Sequence, residues 1–375
     1  MNAETSLKVP FVDLKIQYES LKDQMDKAMQ AVIQDTAFIG GKYVTAFENA
    51  FAKEYGVKHC ISCGNGTDAI YIALKALGIG AGDEVITTAM TWISTAETIS
   101  QTGATPVFVD IDPDYYTMDV AKIEKKITQR TKAVIPVHLY GQPAAIEEIK
   151  KICDARGLYL IEDCAQAHFA EYRGKRVGTF GHIGTFSFYP GKNLGAYGDA
   201  GAIITNDDNL GRWMKLYANH GCVVKHQHEM PGINSRADGM QAAILSVKLP
   251  HIHTWNRKRY ENALLYQKYL SGTPGIVLPK IRKDSTHIFH LYVIQTDRRE
   301  ELQNFLKAND VETGIHYPGA LPFMKAYESL GCSTKDFPVV AGFQNRIVSL
   351  PMYPELSEEA IAKVASLIRQ FAGRQ

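Results

Sequence analysis

The feature that most constrains the fold is a regular alternation of short β-branched runs and helical patterns between residues 57 and 165. Strand–helix alternation at this spacing is typical of a parallel sheet covered by helices. The predicted strands are residues 59–62, 84–88, 106–109, 133–137 and 158–161, and the predicted helices are residues 68–77, 94–101, 120–127 and 145–155. We therefore expect an α/β protein with a mostly parallel sheet at its centre.

The pattern changes around Lys192. Residues 183–188 and 202–205 also have strand patterns, but the short segment between them contains several glycines, which disfavour a helix. A parallel crossover needs about a dozen residues and usually contains a helix. We therefore expect an antiparallel strand pair, a mixed sheet, and Lys192 in a constrained connection.

The remaining segments predict a second, smaller unit. The first 55 residues are mostly helical in pattern, and a long helical pattern from about residue 238 to 270 leads out of the large domain. Beyond it, a strand is predicted near residues 288–296, and helices are predicted near residues 299–308 and 358–371. We predict a large domain at residues 1–250, with an N-terminal helical segment, and a smaller α+β C-terminal domain at residues 251–375.

Charge and composition favour some classes of protein over others. The chain has 41 Lys+Arg and 40 Asp+Glu, a formal net charge of +1, which argues against a nucleic-acid-binding protein. No signal peptide or membrane-spanning run is apparent. The six cysteines resemble no disulfide framework, and the pair Cys60 and Cys63 lacks the second pair of a zinc site, so we predict no metal. We expect a cytoplasmic protein without membrane or nucleic-acid partners.

Lys192 is the first candidate for chemistry, because an apolar, aromatic run delivers it into a turn rich in Gly and Pro. Desolvation lowers the pKa of a lysine, and a neutral amine can form a Schiff base with a carbonyl. Taken alone, such a lysine is ordinarily a solvated cation. The hypothesis therefore depends on its partners.

Three clusters of residues could supply such partners. Asp163 ends an apolar strand, where it could pair with a protonated ring nitrogen or cap the next helix. Gly66 and Thr67 follow a strand and open a helix, which suits a phosphate but also an ordinary capped turn. Trp92 could stack on a planar ring, or it could fill the core or an interface. Together, a phosphate site, a stacking ring, a carboxylate and a reactive lysine fit pyridoxal phosphate better than any other cofactor.

Several longer motifs make the chain resemble the DegT/DnrJ/StrS family of pyridoxal-phosphate-dependent nucleotide-sugar aminotransferases. The resemblance extends over nearly the whole chain. The matching motifs are VPFVDL (9–14), NGTDA (65–69), GDEVI (82–86), VDID (109–112), IEDCAQAH (161–168), FSFYPGKNLG (186–195), NSR (234–236) and HYP (316–318).

The resemblance implies a fold-type-I (aspartate-aminotransferase-like) enzyme that binds pyridoxal 5'-phosphate. It implies that Lys192 is the Schiff-base lysine and general base and that Asp163 pairs with the pyridine nitrogen. The other implied cofactor contacts are Trp92 for stacking, Gln166 for the ring hydroxyl, Gly66, Thr67 and Ser187 for the phosphate, and Asn234 for the phosphate of the neighbouring subunit. The positions that would touch the nucleotide-sugar are Phe38, Arg236, His316 and Tyr317.

The resemblance also implies a ping-pong reaction in a homodimer whose active sites lie at the subunit interface. An amino acid, by resemblance L-glutamate, leaves its amino group as pyridoxamine 5'-phosphate, and a keto-sugar nucleotide receives it. The loop after Lys192 resembles the branch that aminates C3 of UDP- or dTDP-linked 3-keto hexoses. Residues 319–322 depart from the Pro-Leu-His of many relatives, so the sugar stays open.

Three alternatives remain at this point. A 4-keto-sugar aminotransferase would share every cofactor residue. A pyridoxamine-dependent sugar dehydratase resembles this family but has His in place of Lys, whereas Lys192 is intact. A non-catalytic cofactor-binding regulator is the third alternative, and no attached DNA-binding segment is apparent.

Overall fold

The computed structural model describes residues 7–374. Its strands are β1 (His59–Cys63), β2 (Glu84–Thr88), β3 (Thr105–Val109), β4 (Thr131–Ile135), β5 (Tyr159–Asp163), β6 (Glu171–Tyr172), β7 (Lys175–Arg176), β8 (Ile183–Ser187), β9 (Gly201–Thr205), β10 (Tyr292–Gln295) and β11 (Ile347–Leu350). Its α-helices are α1 (Leu14–Gln34), α2 (Gly41–Tyr55), α3 (Gly66–Ala76), α4 (Ser94–Gln101), α5 (Ile146–Arg156), α6 (Asp208–Ala218), α7 (Gly239–Lys248), α8 (Ile252–Leu270), α9 (Arg299–Lys307), α10 (Pro338–Phe343) and α11 (Glu358–Ala372).

The central sheet of the described chain has the strand order β1-β9-β8-β5-β4-β2-β3. Strand β9 runs antiparallel to both of its neighbours, β1 and β8, and the other neighbouring strands are parallel. This topology confirms the predicted α/β fold with a mixed, mostly parallel sheet. It also confirms the antiparallel pair on either side of the Lys192 connection, where Ser187 lies opposite Gly201.

The N-terminal segment is helical, as expected, and its helices begin and end at residues that favour a helix terminus. Helix α1 begins after Asp13, whose carboxylate accepts hydrogen bonds from the backbone N–H groups of Lys15 and Ile16. Helix α2 ends at Gly56, which has a left-handed φ of 70° that glycine adopts without steric cost. These two helices pack on α7 and cover one face of the sheet.

Two helix predictions were wrong. Residues 120–127 form two separate 3₁₀ turns, Val120–Lys122 and Glu124–Lys126, because Ile127 is already extended and β4 begins only four residues later. The long helix predicted over residues 238–270 is interrupted after Lys248. Pro250 has no N–H to continue the hydrogen-bond ladder, so a short 3₁₀ turn separates α7 from α8.

The described residues form a core around the sheet and another around the C-terminal elements. The C-terminal core contains residues from α8, β10, β11, α9 and α11, together with Val9. Helix α8 contributes to both cores: Ile252 and Trp255 pack in the sheet core, while Tyr266 and Leu270 pack in the C-terminal one. The domain boundary at residues 250/251 stays a prediction.

None of the helices between residues 7 and 374 combines the length and the apolar character that a membrane span requires. The six cysteines are free thiols. Cys63 is buried, and its thiol donates a hydrogen bond to the backbone oxygen of Asn65, with a sulfur–oxygen distance of 3.2 Å. Burial and this hydrogen bond therefore explain the presence of Cys63 at the end of β1.

The close contact between β8 and the turn before it gives a stability prediction. A Cβ atom on Gly184 would lie 2.5 Å from the backbone oxygen of Gly178, which cannot move away easily. We expect Gly184→Ala to lower the free energy of unfolding by about 1–3 kcal/mol, the usual cost of overpacking. Gly342→Ala in α10 is the matched control, because nothing lies within 4 Å of its Cβ position. Denaturant unfolding of both variants tests this, and equal stabilities would contradict it.

Candidate active site

The carboxyl ends of β2, β5 and β8 open on one cavity of about 540 Å³. Ligands of α/β sheets bind at this end of the strands. The cavity wall contains nine of the predicted site residues, namely Gly66, Thr67, Trp92, Asp163, Gln166, Ser187, Lys192, His316 and Tyr317. The fold therefore brings together side chains that are far apart in sequence.

Lys192 lies in the tight connection between β8 and β9. Its backbone N–H donates to the carbonyl of Tyr189 at 2.8 Å, and the loop then passes so close to itself that a Cβ on Gly195 would lie 2.3 Å from the Pro190 oxygen. The side chain is half-buried because it faces the cavity. Desolvation lowers the pKa of its amine to about 8, against the opposing effect of the Asp163 charge. The amine of Lys192 is therefore partly in its neutral, nucleophilic form near neutral pH.

Lys248 shows that a lowered pKa alone does not identify a reactive lysine. Burial also lowers its pKa to about 8. Yet Lys248 is fully buried, its ammonium donates to the carbonyl of Gly195 at 2.7 Å, and it lies 4.4 Å from the centre of the Tyr197 ring. It stabilises the loop that carries Lys192 and does not line the cavity. Access to the cavity, and not the pKa, distinguishes the two amines.

Asp163 ends β5 and is buried. One carboxylate oxygen accepts a hydrogen bond from the backbone N–H of Ala165 at 3.1 Å, and the other accepts one from the hydroxyl of Thr95 at 2.9 Å. Burial raises the pKa of the carboxyl group, and these hydrogen bonds and the Lys192 charge oppose the rise. Residues 164–170 form turns, so the alternative that Asp163 caps a following helix is wrong.

The start of α3 has the features of an anion site. Asn65 is the N-cap and accepts a hydrogen bond from the N–H of Asp68, while the first N–H groups of the helix have no partner within it. A Cβ on Gly66 would lie 2.6 Å from the Cβ of Ser187, so only glycine allows the helix this close to β8. The Asp68 carboxylate accepts a hydrogen bond from the hydroxyl of Ser235 at 2.7 Å, which engages its negative charge.

Trp92 and Tyr317 form the aromatic part of the cavity. The Trp92 side chain is 57% exposed, which excludes the alternative that it fills the core, and its ring lies 5.5 Å from that of Tyr317. Gln166 donates to the Tyr317 hydroxyl at 2.8 Å and accepts from the backbone N–H of Tyr140 at 2.7 Å. The oxygen and the nitrogen of the buried Gln166 amide are therefore both held by hydrogen bonds. The expected contact of Gln166 with the ring hydroxyl of the cofactor stays a prediction.

The single chain does not bring Phe38, Asn234 and Arg236 into this cavity. All three are exposed. Arg236 lines a different cavity of about 520 Å³, and its guanidinium donates to the side-chain oxygen of Asn234 at 3.1 Å. Their expected contacts with cofactor and substrate stay predictions that require a second copy of the chain.

Among the cavity residues that were not predicted as site residues, four are notable. Ser94 and Thr95 follow Trp92 closely, and Ser94 is hydrogen-bonded to the Thr67 hydroxyl at 2.7 Å, so the strand-end rule could have found both. Phe11 lies in one of the recognised motifs and stacks on His316 with ring centres 5.5 Å apart. His290 also lines the cavity, and no sequence signal pointed to it.

Comparison with known proteins supplies the context for this cavity. The model of the DegT/DnrJ/EryC1/StrS aminotransferase family matches residues 19–369. A pleiotropic regulatory protein of Geobacillus stearothermophilus is 46% identical, covering 98% of this chain and 100% of the relative. The dTDP-3-amino-3,4,6-trideoxy-alpha-D-glucose transaminase of Streptomyces venezuelae is 41% identical, covering 99% and 98% respectively. The UDP-N-acetyl-3-dehydro-alpha-D-glucosamine 3-aminotransferase of Acidithiobacillus ferrooxidans is 43% identical, covering 96% and 97%.

Solved structures show the same fold. The structure of S. venezuelae DesV in complex with a ketimine intermediate superposes with a TM-score of 0.96 at 40% identity, covering 98% of this chain and 99% of that one. The structure of NtdA from Bacillus subtilis with bound cofactor PMP superposes with a TM-score of 0.89 at 29% identity, covering 98% and 86%. The fold is therefore that of the pyridoxal-phosphate-dependent sugar aminotransferases.

The residues of the cavity fit pyridoxal phosphate. The start of α3 with Thr67 and Ser187 suits the phosphate, the exposed face of Trp92 suits the ring, and Asp163 suits a protonated ring nitrogen. Lys192 lines the same cavity and offers its amine to the cofactor aldehyde. The donor set therefore matches each functional part of the cofactor.

The contrast between half-buried Lys192 and fully buried Lys248 gives a labelling prediction. Pyridoxal phosphate followed by borohydride should leave a stable pyridoxyl group on Lys192 and none on Lys248, because Lys248 has no access to the cavity. Peptide mass spectrometry locates the modification, and Lys192→Ala should abolish it in a folded protein. Equal labelling of the two lysines would contradict the assignment.

Proposed function

Because the chain belongs to the DegT/DnrJ/EryC1/StrS aminotransferase family, we propose that it moves an amino group from L-glutamate to C3 of a UDP- or dTDP-linked 3-keto hexose. The enzyme is a pyridoxal-phosphate-dependent nucleotide-sugar aminotransferase; the donor, the carbon and the nucleotide are the proposed details. The observation that carries the proposal is the shared cavity of Lys192 and Asp163. The expected cytoplasmic location stays a prediction.

The roles of the chain's own groups follow from their positions. When bound, pyridoxal phosphate supplies a carbonyl that condenses with amines and a ring that accepts electrons after proton removal. With the cofactor bound, the neutral amine of Lys192 would take the proton from the donor's Cα and, as an ammonium, would give it back. The Asp163 carboxylate would pair with a protonated ring nitrogen, and Trp92 would hold the ring by stacking. When the keto-sugar is the acceptor, Lys192 would carry out the same proton transfers in the reverse order.

Two observations support amination at C3. The two related enzymes described above carry a 3-amino or 3-dehydro sugar in their names. The Lys192 loop also resembles that of the 3-keto branch. The dehydratase alternative is disfavoured because Lys192 is intact, and a purely regulatory protein would not need an accessible amine beside a buried carboxylate.

A panel of substrates tests the sugar position. The pyridoxamine form of the enzyme should return to the pyridoxal form with a UDP- or dTDP-linked 3-keto hexose at least about tenfold faster than with the 4-keto isomer, a difference of about 1.4 kcal/mol in barrier. Stopped-flow absorbance measures both rates. A preference for 4-keto sugars would overturn C3 amination and leave the aminotransferase assignment intact.

We also propose that two copies of the chain share each active site. Phe38, Asn234 and Arg236 lie on the surface of one copy, where a neighbouring copy could meet them. Phe38 and Ile39 are 50% and 56% exposed, and Val223 and Val224 are 59% and 55% exposed, an unusual set of large apolar side chains for a free surface. Burying them in a dimer would place the predicted phosphate and substrate contacts at the partner's cavity.

Mixing two inactive variants tests the shared site. Lys192→Ala removes the amine of a chain's own cavity, and Arg236→Ala removes the residue that it would supply to its partner. Unfolding and refolding an equal mixture should restore about a quarter of wild-type activity, since half of the dimers would be mixed and each would hold one intact site. A mixture of Lys192→Ala with Asp163→Asn is the matched control, because both changes damage a chain's own cavity. If the first mixture gains no more activity than the control, the shared site is wrong.

A further inference from the structure

His290 lies on the cavity wall, close to Lys192, and has no role in the reaction as derived so far. It belongs to the segment that leads into β10 and is buried apart from the side that faces the cavity. Burial lowers the pKa of its imidazole well below the usual value, and the nearby charge of Lys192 lowers it further. The ring is therefore neutral, and its single N–H must be on one of two nitrogens.

A chain of side-chain amides determines which nitrogen carries the proton. The Asn256 amide nitrogen donates to the carbonyl of His168 at 2.9 Å, which leaves its oxygen to accept from Asn193 at 2.8 Å. The amide nitrogen of Asn193 also donates to the carbonyl of Ile288 at 3.2 Å. Because backbone carbonyls only accept hydrogen bonds, the orientations of both amides are fixed. The oxygen of Asn193 is therefore the atom that faces Nδ1 of His290, at 3.2 Å.

An amide oxygen cannot donate, so Nδ1 of His290 must be the donor in this contact. A neutral imidazole has one N–H, and Nε2 is then left with a lone pair. His290 and Lys192 line the same cavity, and the charge of Lys192 acts on the imidazole. Asn193 directly follows Lys192 in the chain, so the same contact also fixes the backbone that carries the amine.

We propose that His290 is a positioning residue of the amino transfer, held by Asn193 with its proton on Nδ1, so that Nε2 accepts a hydrogen bond from the Lys192 amine. A neutral amine has two N–H groups and one lone pair. An acceptor that engages one N–H limits the rotation of the amine and so restricts the orientation of its lone pair. This inference rests on the proposed role of Lys192 as the group that moves the proton.

Two substitutions separate the two nitrogens of His290. Asn in this position keeps an amide N–H near the place of Nδ1 and removes the acceptor, whereas Gln places an amide oxygen near Nε2. With the cofactor-loaded enzyme and glutamate, His290→Asn should lower the rate of conversion to the pyridoxamine form roughly 10- to 100-fold, the range for one hydrogen bond to a reacting group. His290→Gln should retain most of the rate, and the KM for glutamate should change less than kcat in both variants.

His287 provides the matched control on the same segment. It is buried, its Nδ1 accepts from the backbone N–H of Phe289 at 3.0 Å, and it does not line the cavity. His287→Asn can keep this bond through its side-chain oxygen and should leave the rate within a few-fold of wild type. Equal losses in His290→Asn and His290→Gln, or no loss in His290→Asn, would overturn the proposal.

Nuclear magnetic resonance of the wild-type protein, labelled with ¹⁵N at histidine, tests the tautomer without any activity measurement. The His290 signals, assigned by their loss in a His290 variant, should show a protonated Nδ1 and an unprotonated Nε2. A proton on Nε2 would overturn the proposal whatever the activities of the variants. A wild-type enzyme that does not convert glutamate would instead contradict the proposed function, so the two failures are distinguishable.

Discussion

The site depends on two ionisable groups, Asp163 and Lys192, that the sheet brings into one partly desolvated cavity. Removal from water favours the neutral form of each group, so it raises the pKa of the carboxyl and lowers that of the amine, while the charge of each favours the charged form of the other. In both groups the effect of desolvation exceeds that of the opposite charge, so the pKa of Asp163 is raised and that of Lys192 is lowered. The amine of Lys192 is therefore partly neutral near neutral pH. The Asp163 carboxylate accepts hydrogen bonds from Thr95 and Ala165 and is suited to pair with a protonated ring nitrogen.

Adjacent carboxylates at the end of β5 show how hydrogen bonding separates a structural group from a functional one. Side chains alternate along a strand, so Glu162 and Asp163 point to opposite sides. Glu162 is fully buried and accepts hydrogen bonds from the N–H groups of Gly178, Phe180 and Gly181, each at 2.7 Å, and it faces His138. His138, Glu162 and Cys164 lie close enough together for a metal, but Nδ1 of His138 accepts from Ala144 and the Glu162 oxygens are engaged. This cluster fixes the turn before β8.

Much of this structure follows from local sequence rules, and the parts that do not are contacts between distant residues. The length and the glycines of the Lys192 connection predicted the antiparallel pair, and the strand-end rule located Asp163, Gly66 and Trp92. By contrast, the bond between Gln166 and Tyr317 joins residues 151 positions apart, and no pattern in the sequence indicates it. The interruption of the helix over residues 238–270 was predictable from Pro250 and was missed because the apolar period continues through it.

The charges on the cavity wall bear on the shape of the complete enzyme. Among the described residues that line the cavity, Asp163 and Asp199 are acidic and Lys192 is the one lysine or arginine, while burial lowers the pKa of His316 to about 4 and keeps it neutral. A phosphorylated cofactor and a nucleotide-linked sugar together bring several negative charges, which need cationic or N–H partners. The start of α3 can serve one phosphate. In the proposed dimer, the exposed guanidinium of Arg236 would be suited to pair with part of the remaining negative charge. For a family that binds these anions, the shortage of cationic groups in the single cavity is an argument for the proposed shared active site.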